Sequence, residues 1–487
     1  MVKKYYPVLQ GGFIWEWVEH GIETFDEQGR KYWSYGGDLG GHRWTHDGNF
    51  CADGIVSADR STHPGIQEIK KMYQPIWMKA IDIEKGKISM NNHHLFTDLN
   101  VYDYKWELYK NGELVQTNTL NISGGPLSET ELTIPLPSLQ YAAGDEYFVR
   151  IKAFTRKATD LIPAGHLVAE EEFPFPKNNF FVKASSQGNL KTEETERKGR
   201  FSTEKLLQFE SGDVKGSISL SSGQLIGYSY KGKQLITSAP VPNFWRGPTD
   251  NDFGYNQQIK GNVWRTADTD LTVENVDVKA QTDEGVEVIV TKKLKYVDAS
   301  YTTSYLIRND GSVKVTASVD FKGKDHPEPS RFGMKMQLPV NFTNVQYYGR
   351  GPWENYNDRN NSAFVGKYDC KVVDLGFTYT RPQENGYRTD VRFVSFTDDN
   401  GSGIVFEGYD QPICFNARYN ADEDFDPGLT KKQQHSIDID PQNILFVNID
   451  LKQLGLSGDN SWGALPLAQY RMLDDSYTYS YVIRPAQ

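Results

Sequence analysis

Cysteine is nearly absent. The 487-residue chain has three, Cys51, Cys370 and Cys414. Their odd number and wide separation build no disulfide framework, and no Cys-x-x-Cys spacing offers a metal site. No apolar run approaches the ~18 residues of a membrane-crossing helix. The opening Met1-Val2-Lys3-Lys4-Tyr5-Tyr6-Pro7 lacks the apolar core of a secretion signal, which leaves the compartment open between cytoplasm and periplasm. An excess of positive charge is also missing. The net charge is −11, with Lys and Arg interspersed among the acids, so neither nucleic acid nor an anionic membrane is expected as a partner. The sequence has no nucleotide-binding glycine loop, no His-Glu-x-x-His, no Gly-x-Ser-x-Gly elbow and no repeat of fixed period.

Aromatic residues are plentiful. There are 28 Tyr, 25 Phe and 10 Trp against 7 Met, a balance that suits half-buried pleated sheets and points to a mainly β chain. The length fits about three domains. Residues 1–75 alone carry an α/β signal. An opening strand around Phe13-Ile14-Trp15-Glu16-Trp17 leads through a long loop to a helix. Ser61-Thr62-His63 are its capping candidates, Pro64 suits its first turn, Ile66, Ile69 and Tyr73 form its apolar stripe, and Pro75 stops it. Residues 76–180 read as short strands between turns, with Asn111-Gly112 as a hairpin signal, and predict an immunoglobulin-like sandwich. The polar stretch 181–205 reads as a linker. Residues 206–487 are strand after strand and predict a large terminal β-sandwich.

The chemistry has few anchors. At period two, Phe13, Trp15 and Trp17 would share one strand face. They read either as core or as a sugar platform, with Asp38, His46, Asp47, Asn49 and Asp53 as polar neighbours. Asp53 reads as a turn residue before Gly54 or as a cation ligand working with a backbone carbonyl. Trp462, in the polar loop Gly458-Asp459-Asn460-Ser461-Trp462-Gly463, reads as an exposed binding aromatic. Asp250-Asn251-Asp252 lacks the glycine and distal Glu of a calcium loop and reads as a structural turn. Glu16 and Glu19 are available carboxylates, yet their spacing places no pair across a scissile bond.

These motifs, in this order, resemble a known family. Tyr6-Pro7-Val8-Leu9-Gln10-Gly11-Gly12-Phe13-Ile14-Trp15-Glu16-Trp17, Tyr35-Gly36-Gly37-Asp38, Phe50-Cys51-Ala52-Asp53-Gly54 and Ala58-Asp59-Arg60-Ser61-Thr62-His63-Pro64 are similar to the end of the catalytic barrel of glycoside hydrolase family 2 β-galactosidases. The similarity continues through Ala164-Gly165-His166, Phe244-Trp245-Arg246-Gly247-Pro248-Thr249-Asp250-Asn251-Asp252, Gly349-Arg350-Gly351-Pro352-Trp353-Glu354-Asn355-Tyr356, Glu384-Asn385-Gly386 and Asp459-Asn460-Ser461-Trp462. It covers essentially the whole chain and corresponds to the C-terminal half of that enzyme.

The resemblance implies the last β/α unit of a TIM barrel at 1–75, followed by the two sandwiches. It implies that Trp15 stacks on galactose, that Trp462 serves the aglycone side, and that the Phe50 backbone oxygen and Asp53 hold sodium. Many members have Asn where this chain has Asp53. The family's general acid, its nucleophile and its magnesium ligands all fall before Met1, so no catalytic residue is expected in this chain. Hydrolysis of terminal β-D-galactose residues, as in lactose-like substrates, would then need the N-terminal half as partner. The complete enzyme is expected to be a homo-oligomer. The alternative is a non-catalytic carbohydrate-binding or oligomer-scaffold β protein. Severed from the other barrel staves, residues 1–75 are expected to fray.

Overall fold

The computed structural model describes Val8 and residues 11–41, 44–181, 186–200, 203–323 and 325–486. Tyr6, Pro7, Leu9 and Gln10 of the opening motif lie outside these residues, as do parts of the stretch expected as a linker.

The opening run is not the strand that alternation predicted. Residues 11–17 join no ladder. Only Val18 makes a bridge, parallel to Val56, supported by Ile55 N–H to Glu16 O and Val56 N–H to Trp17 O, both 3.1 Å. Beyond that bridge the described residues offer no neighbouring strand, so Phe13, Trp15 and Trp17 all stand exposed. The loop that follows contains a ribbon, Ile22–Phe25 against Lys31–Ser34. Asp26 closes its turn by accepting from the Gln28 and Arg30 amides.

The helix forms as expected, over Gly65–Tyr73, directly after Pro64. No side chain caps it, which corrects the expectation for Ser61-Thr62-His63. His63 faces Ser57 instead, at 3.0 Å. The helix lies between two bodies. Glu68 accepts from the Asn361 side chain and the Ser362 amide, each at 2.9 Å, while Lys71 pairs with Glu171 at 2.9 Å.

Next comes a small sandwich. One sheet pairs Ile76–Asp82, Lys87–Asn92 and Glu129–Thr133; the other orders Glu113–Leu120, Tyr102–Lys110, Tyr147–Thr155 and Leu167–Pro174. Alternate residues such as Ile76, Met78, Tyr104, Trp106, Leu108, Val149 and Ile151 meet in its core. Asn111 and Gly112 both take positive φ, as a two-residue turn that matches strand twist requires.

The linker reading of 181–205 needs correction. Lys191–Lys198 is a strand, paired along its whole length with Thr203–Ser211. It is the edge strand of a five-stranded sheet, its charges face solvent, and composition alone reads that as a solvated linker. That sheet continues through Val214–Ser219, Gln224–Tyr230 and Lys233–Gln234. A second five-stranded sheet orders Ser238–Asn243, Arg331–Leu338, Leu445–Gln453, Ile413–Arg418 and Arg388–Val391. A nine-stranded sheet runs from Leu271–Val278 to Phe364–Lys371 and includes the last strand, Ser476–Ala486. These sheets share one apolar core in which Phe244, Trp264, Tyr301, Phe332, Tyr477 and Tyr479 interlock. The chain is mainly β, and its helical turns in this part are short.

Charge fixes the small sandwich to the terminal one. Arg392 donates to both carboxylate oxygens of Glu146, at 2.8 and 2.9 Å, with both side chains buried. Removing one member of such a pair strands the other charge away from water. Glu146→Ala is therefore expected to destabilise the chain by about 3–5 kcal/mol, read in urea unfolding. Loss of less than about 1 kcal/mol, the size of an exposed pair, would show that water reaches Arg392.

Candidate functional site

The end of the 11–75 unit that faces the terminal sandwich gathers the residues singled out in the sequence. Trp15 is 79% exposed and Trp462 is 76% exposed, so neither is a core tryptophan. The Trp462 ring lies 5.8 Å from that of Phe50, and Asn460 Oδ1 accepts from the Trp462 amide at 2.9 Å. The Trp462 loop also passes tightly over Gly254, where an added Cβ would meet Ser461 O at 2.6 Å. Phe50 ends a single helical turn, Gly48–Cys51, whose exit brings Asp53 beside the Trp15 segment. The Glu16 amide donates to Asp53 O at 3.4 Å. The two ends of the sequence therefore meet around Phe50.

Asp53 is not only a turn residue. Its Oδ1 is buried with no hydrogen-bond partner, and its carboxyl lies against that of Glu16. Burial raises the Glu16 pKa first, and the Asp53 side chain raises it further against the opposing His20. His20 sits 2.9 Å from Glu16. A carboxylate oxygen left unpartnered in this way is a cost unless a proton or cation meets it. Among the described residues no three His, Cys, Asp or Glu side chains converge as a metal cluster, so any cation here would rely on backbone oxygens as well.

The other polar candidates do different work. Asp38 receives the Tyr35 amide at 2.6 Å and His435 at 2.7 Å, and Gln433 reaches its other oxygen at 2.8 Å. Asn49 is held by Lys431 at 3.1 Å. His46 accepts from the Gly48 amide at 3.1 Å and fills the space beside Gly37, whose φ is +103. Asp47 caps the turn through its carbonyl, which receives the Phe50 amide at 3.2 Å. Two of these residues are thus spent on holding the unit to the terminal sandwich.

The acidic triplet holds the structural role expected of it. Asp252 completes a capping box with Thr249 and receives the buried Arg246 at 2.8 and 3.0 Å. Asp250 takes Arg381 at 2.8 Å and Lys431 at 2.9 Å. Burial alone would raise the Asp250 pKa, but the Arg381 and Lys431 charges outweigh it and hold the carboxyl well below the usual range. Lys431 bridges this ion pair to Asn49, next to Phe50. Thr380, Arg381, Lys431 and His435 were not candidates from the sequence. Nothing local marks them, since their partners lie hundreds of positions away.

With this geometry in view, the comparisons with known proteins gain a physical setting. Residues 210–483 match the family described as beta galactosidase small chain. The chain belongs to that family. Residues 88–176 match β-galactosidase domain 4, and residues 1–78 match the TIM barrel domain of family 2 glycosyl hydrolases. The β-galactosidase of Priestia megaterium is 33% identical over 99% of this chain and 45% of its own length. That of Halalkalibacterium halodurans is 30% identical over 94% of this chain and 44% of its own. That of Streptococcus thermophilus is 28% identical over 99% and 45%. The chain thus corresponds to the C-terminal half of a family 2 β-galactosidase and spans less than half the length of these relatives.

The Asp250 pair gives a signed test. Its depressed pKa means that its carboxylate stabilises the fold above the unfolded value of about 4 and that this contribution is lost as pH falls through and below it. About a third of the Asp250 side chain (31%) reaches solvent, so Asp250→Asn is expected to cost only about 1–2 kcal/mol at neutral pH. The deficit should shrink below pH ~4. There the unfolded wild-type carboxylate takes up a proton while the native one, held ionised by Arg381 and Lys431, does not, and this draws the wild type toward unfolding. Denaturant unfolding of both proteins at the two pH values measures this; a deficit that grows on acidification contradicts it.

Proposed function

We propose that this chain is the sugar-binding and scaffold half of a retaining β-galactosidase, active on terminal β-D-galactosides such as lactose once the N-terminal half is present. The supporting observation is the exposed aromatic surface on which Trp462 lies against Phe50, with Asp53 next to the Trp15 segment. Indole faces stack on the C–H patches of a pyranose, and the ring hydroxyls need polar partners at the rim. Trp15 takes the galactose ring in this reading, and Trp462 takes the aglycone. Phe13, Trp15, Trp17 and Trp44 all stand exposed, and large exposed apolar side chains are what a partner covers. The missing barrel staves are that partner.

The residues fit a sodium ion. Asp53 offers a buried oxygen without a partner, and the Phe50 carbonyl would be its second ligand. Carboxylate and carbonyl oxygens are the donors a hard cation takes. Bound there, the ion would hold a sugar hydroxyl at a fixed distance from Trp15. Magnesium belongs with ligands on the other half. Retaining hydrolysis requires two carboxyl groups about 5–5.5 Å apart, and in this reading both come from the partner. Glu16, whose carboxyl leans on Asp53, supports the site's charge balance and transfers no proton to the substrate.

This division of labour makes the purified chain inactive on a nitrophenyl β-galactoside with sodium and magnesium present, and active on addition of the N-terminal half. Turnover by the chain alone that disappears on Glu16→Gln would refute it. In the reconstituted enzyme, Trp15→Ala should weaken galactose and substrate binding alike. Trp462→Ala should weaken aglycone binding and transfer to sugar acceptors, with hydrolysis of activated substrates comparatively intact. Each stacking contact is worth about 1 kcal/mol, a several-fold change in KM. Unchanged kinetics in both variants would separate this surface from the reaction and favour a non-catalytic carbohydrate-binding scaffold.

A further inference from the structure

We propose that Glu19 is a positioning residue: its buried carboxyl, held between Thr380 and His63, fixes the segment that presents Trp15 against the terminal sandwich. The inference rests on the reading of Trp15 as the sugar platform, but its structural part stands on separate observations. Glu19 is 4% exposed. One of its oxygens accepts from the Thr380 hydroxyl at 2.7 Å, across the seam between the two bodies. The other lies 3.5 Å from His63 Nε2, which also meets Ser57 Oγ at 3.0 Å. The His63 ring packs edge-on against Phe377 at 5.0 Å and Tyr379 at 5.8 Å, in the same terminal loop as Thr380. Along the backbone, the Glu19 amide donates to Val56 O at 3.0 Å, beside the parallel bridge that joins the Trp15 and Asp53 segments. A single side chain thus ties both segments to the terminal sandwich.

The mechanism does not use this pair, and the proton it carries explains the geometry. Burial pushes the Glu19 carboxyl up to about 7, against the Thr380 hydrogen bond that favours its ionised form. Burial pushes His63 down to about 4. Between these values the pair is a carboxylic acid beside a neutral imidazole, with no net charge to desolvate. The surroundings enforce this. Asp53 and Asp59 face Glu19 from its own unit and Asp250 faces it from the terminal sandwich, although Arg381 and Lys431 occupy Asp250. His63 faces Asp59 and the paired Glu354 and Arg359. Loss of the proton leaves a carboxylate among three acids with one hydroxyl to hold it, so the seam loosens as pH rises through neutrality. The sign follows: a carboxyl with a raised folded pKa contributes in full to the docked state below its ordinary value of 4.5, loses that contribution as pH climbs from there to about 7, and has none of it left above.

Hydrogen exchange on the full chain reads the latch directly, at the amides of Glu19 and Val56. After correction for intrinsic rates, wild-type protection should fall about tenfold between pH 6 and pH 8.5. Glu19→Gln, neutral at every pH and able to accept from Thr380, should hold the high value throughout. Glu19→Ala and Thr380→Val should show the low value throughout; the Thr380 variant removes one hydroxyl and serves if Glu19→Ala fails to fold. Protection in the wild type that ignores pH, or Glu19→Gln that behaves like Glu19→Ala, would overturn the proposal. In the enzyme reconstituted with its N-terminal half, Glu19→Ala should raise KM several-fold with kcat within about twofold, and Glu19→Gln should restore KM. An unmoved KM would overturn the positioning role. If exchange behaves as expected but the reconstituted wild type shows no galactosidase activity, the functional reading fails and the latch stands.

Discussion

The molecule depends on a seam of charges that burial makes costly to separate. Asp250 anchors it from the terminal sandwich. Arg381 and Lys431 close on this one carboxylate, Lys431 passes on to Asn49, and Glu19 grips Thr380 one residue from Arg381. Asp38 and His435 repeat the arrangement further along. The Lys431–Asn49, Thr380–Glu19 and His435–Asp38 contacts each join the 11–75 unit to a loop of the terminal sandwich. The Asp250 ion pairs hold Arg381 and Lys431 in place within the sandwich. Ion pairs of this kind add little net stability but lose heavily when one partner is removed, so they specify how the two bodies sit.

That specification decides what the aromatic surface can do. Among the described residues, the 11–75 unit has no strand ladder at its opening segment to orient its loops. The terminal sandwich orients them on one side. It holds the Phe50 turn, and it sends Trp462 over to meet it. The opposite side keeps its aromatic residues in solvent. The unit is therefore docked on one face and open on the other. The helix, Asp38 and Asn49 are tied to the neighbouring bodies, while Phe13, Trp15 and Trp17 stay in solvent.

Much was legible in the sequence because it rests on local rules. Pro64 and Pro75 bracket the helix, Asn111-Gly112 marks its hairpin, and alternation in Tyr147–Thr155 marks a buried strand. Trp462 in a polar glycine-flanked loop read as exposed, and it is. Three local readings failed. Ser61-Thr62-His63 offered a helix cap, but none of their side chains caps the helix. Alternation at Phe13–Trp17 looked like a strand, but a strand needs a neighbour, and among the described residues this run has only the bridge at Val18. The charged run at 191–198 looked like a linker, because a solvated edge strand buries too little apolar surface to leave a hydrophobic signature.

By itself, the sequence determined the β-rich class, the position of the helix in the opening unit, the exposure of Trp462 and, through its ordered motifs, the resemblance to the family. The first three follow from propensity, periodicity and turn chemistry, which act over a few residues, and the fourth from the resemblance of the motifs alone. Only the tertiary structure decided that Trp462 lies on Phe50, that Asp38 and Asn49 serve as docking ties, that Asp53 keeps an oxygen without a partner, and that the Glu19 carboxyl is buried between Thr380 and His63. Each of these depends on which groups burial brings together and removes from water. Desolvation and charge pairing act through space, so residues far apart in the chain set one another's ionisation, and no local pattern records it.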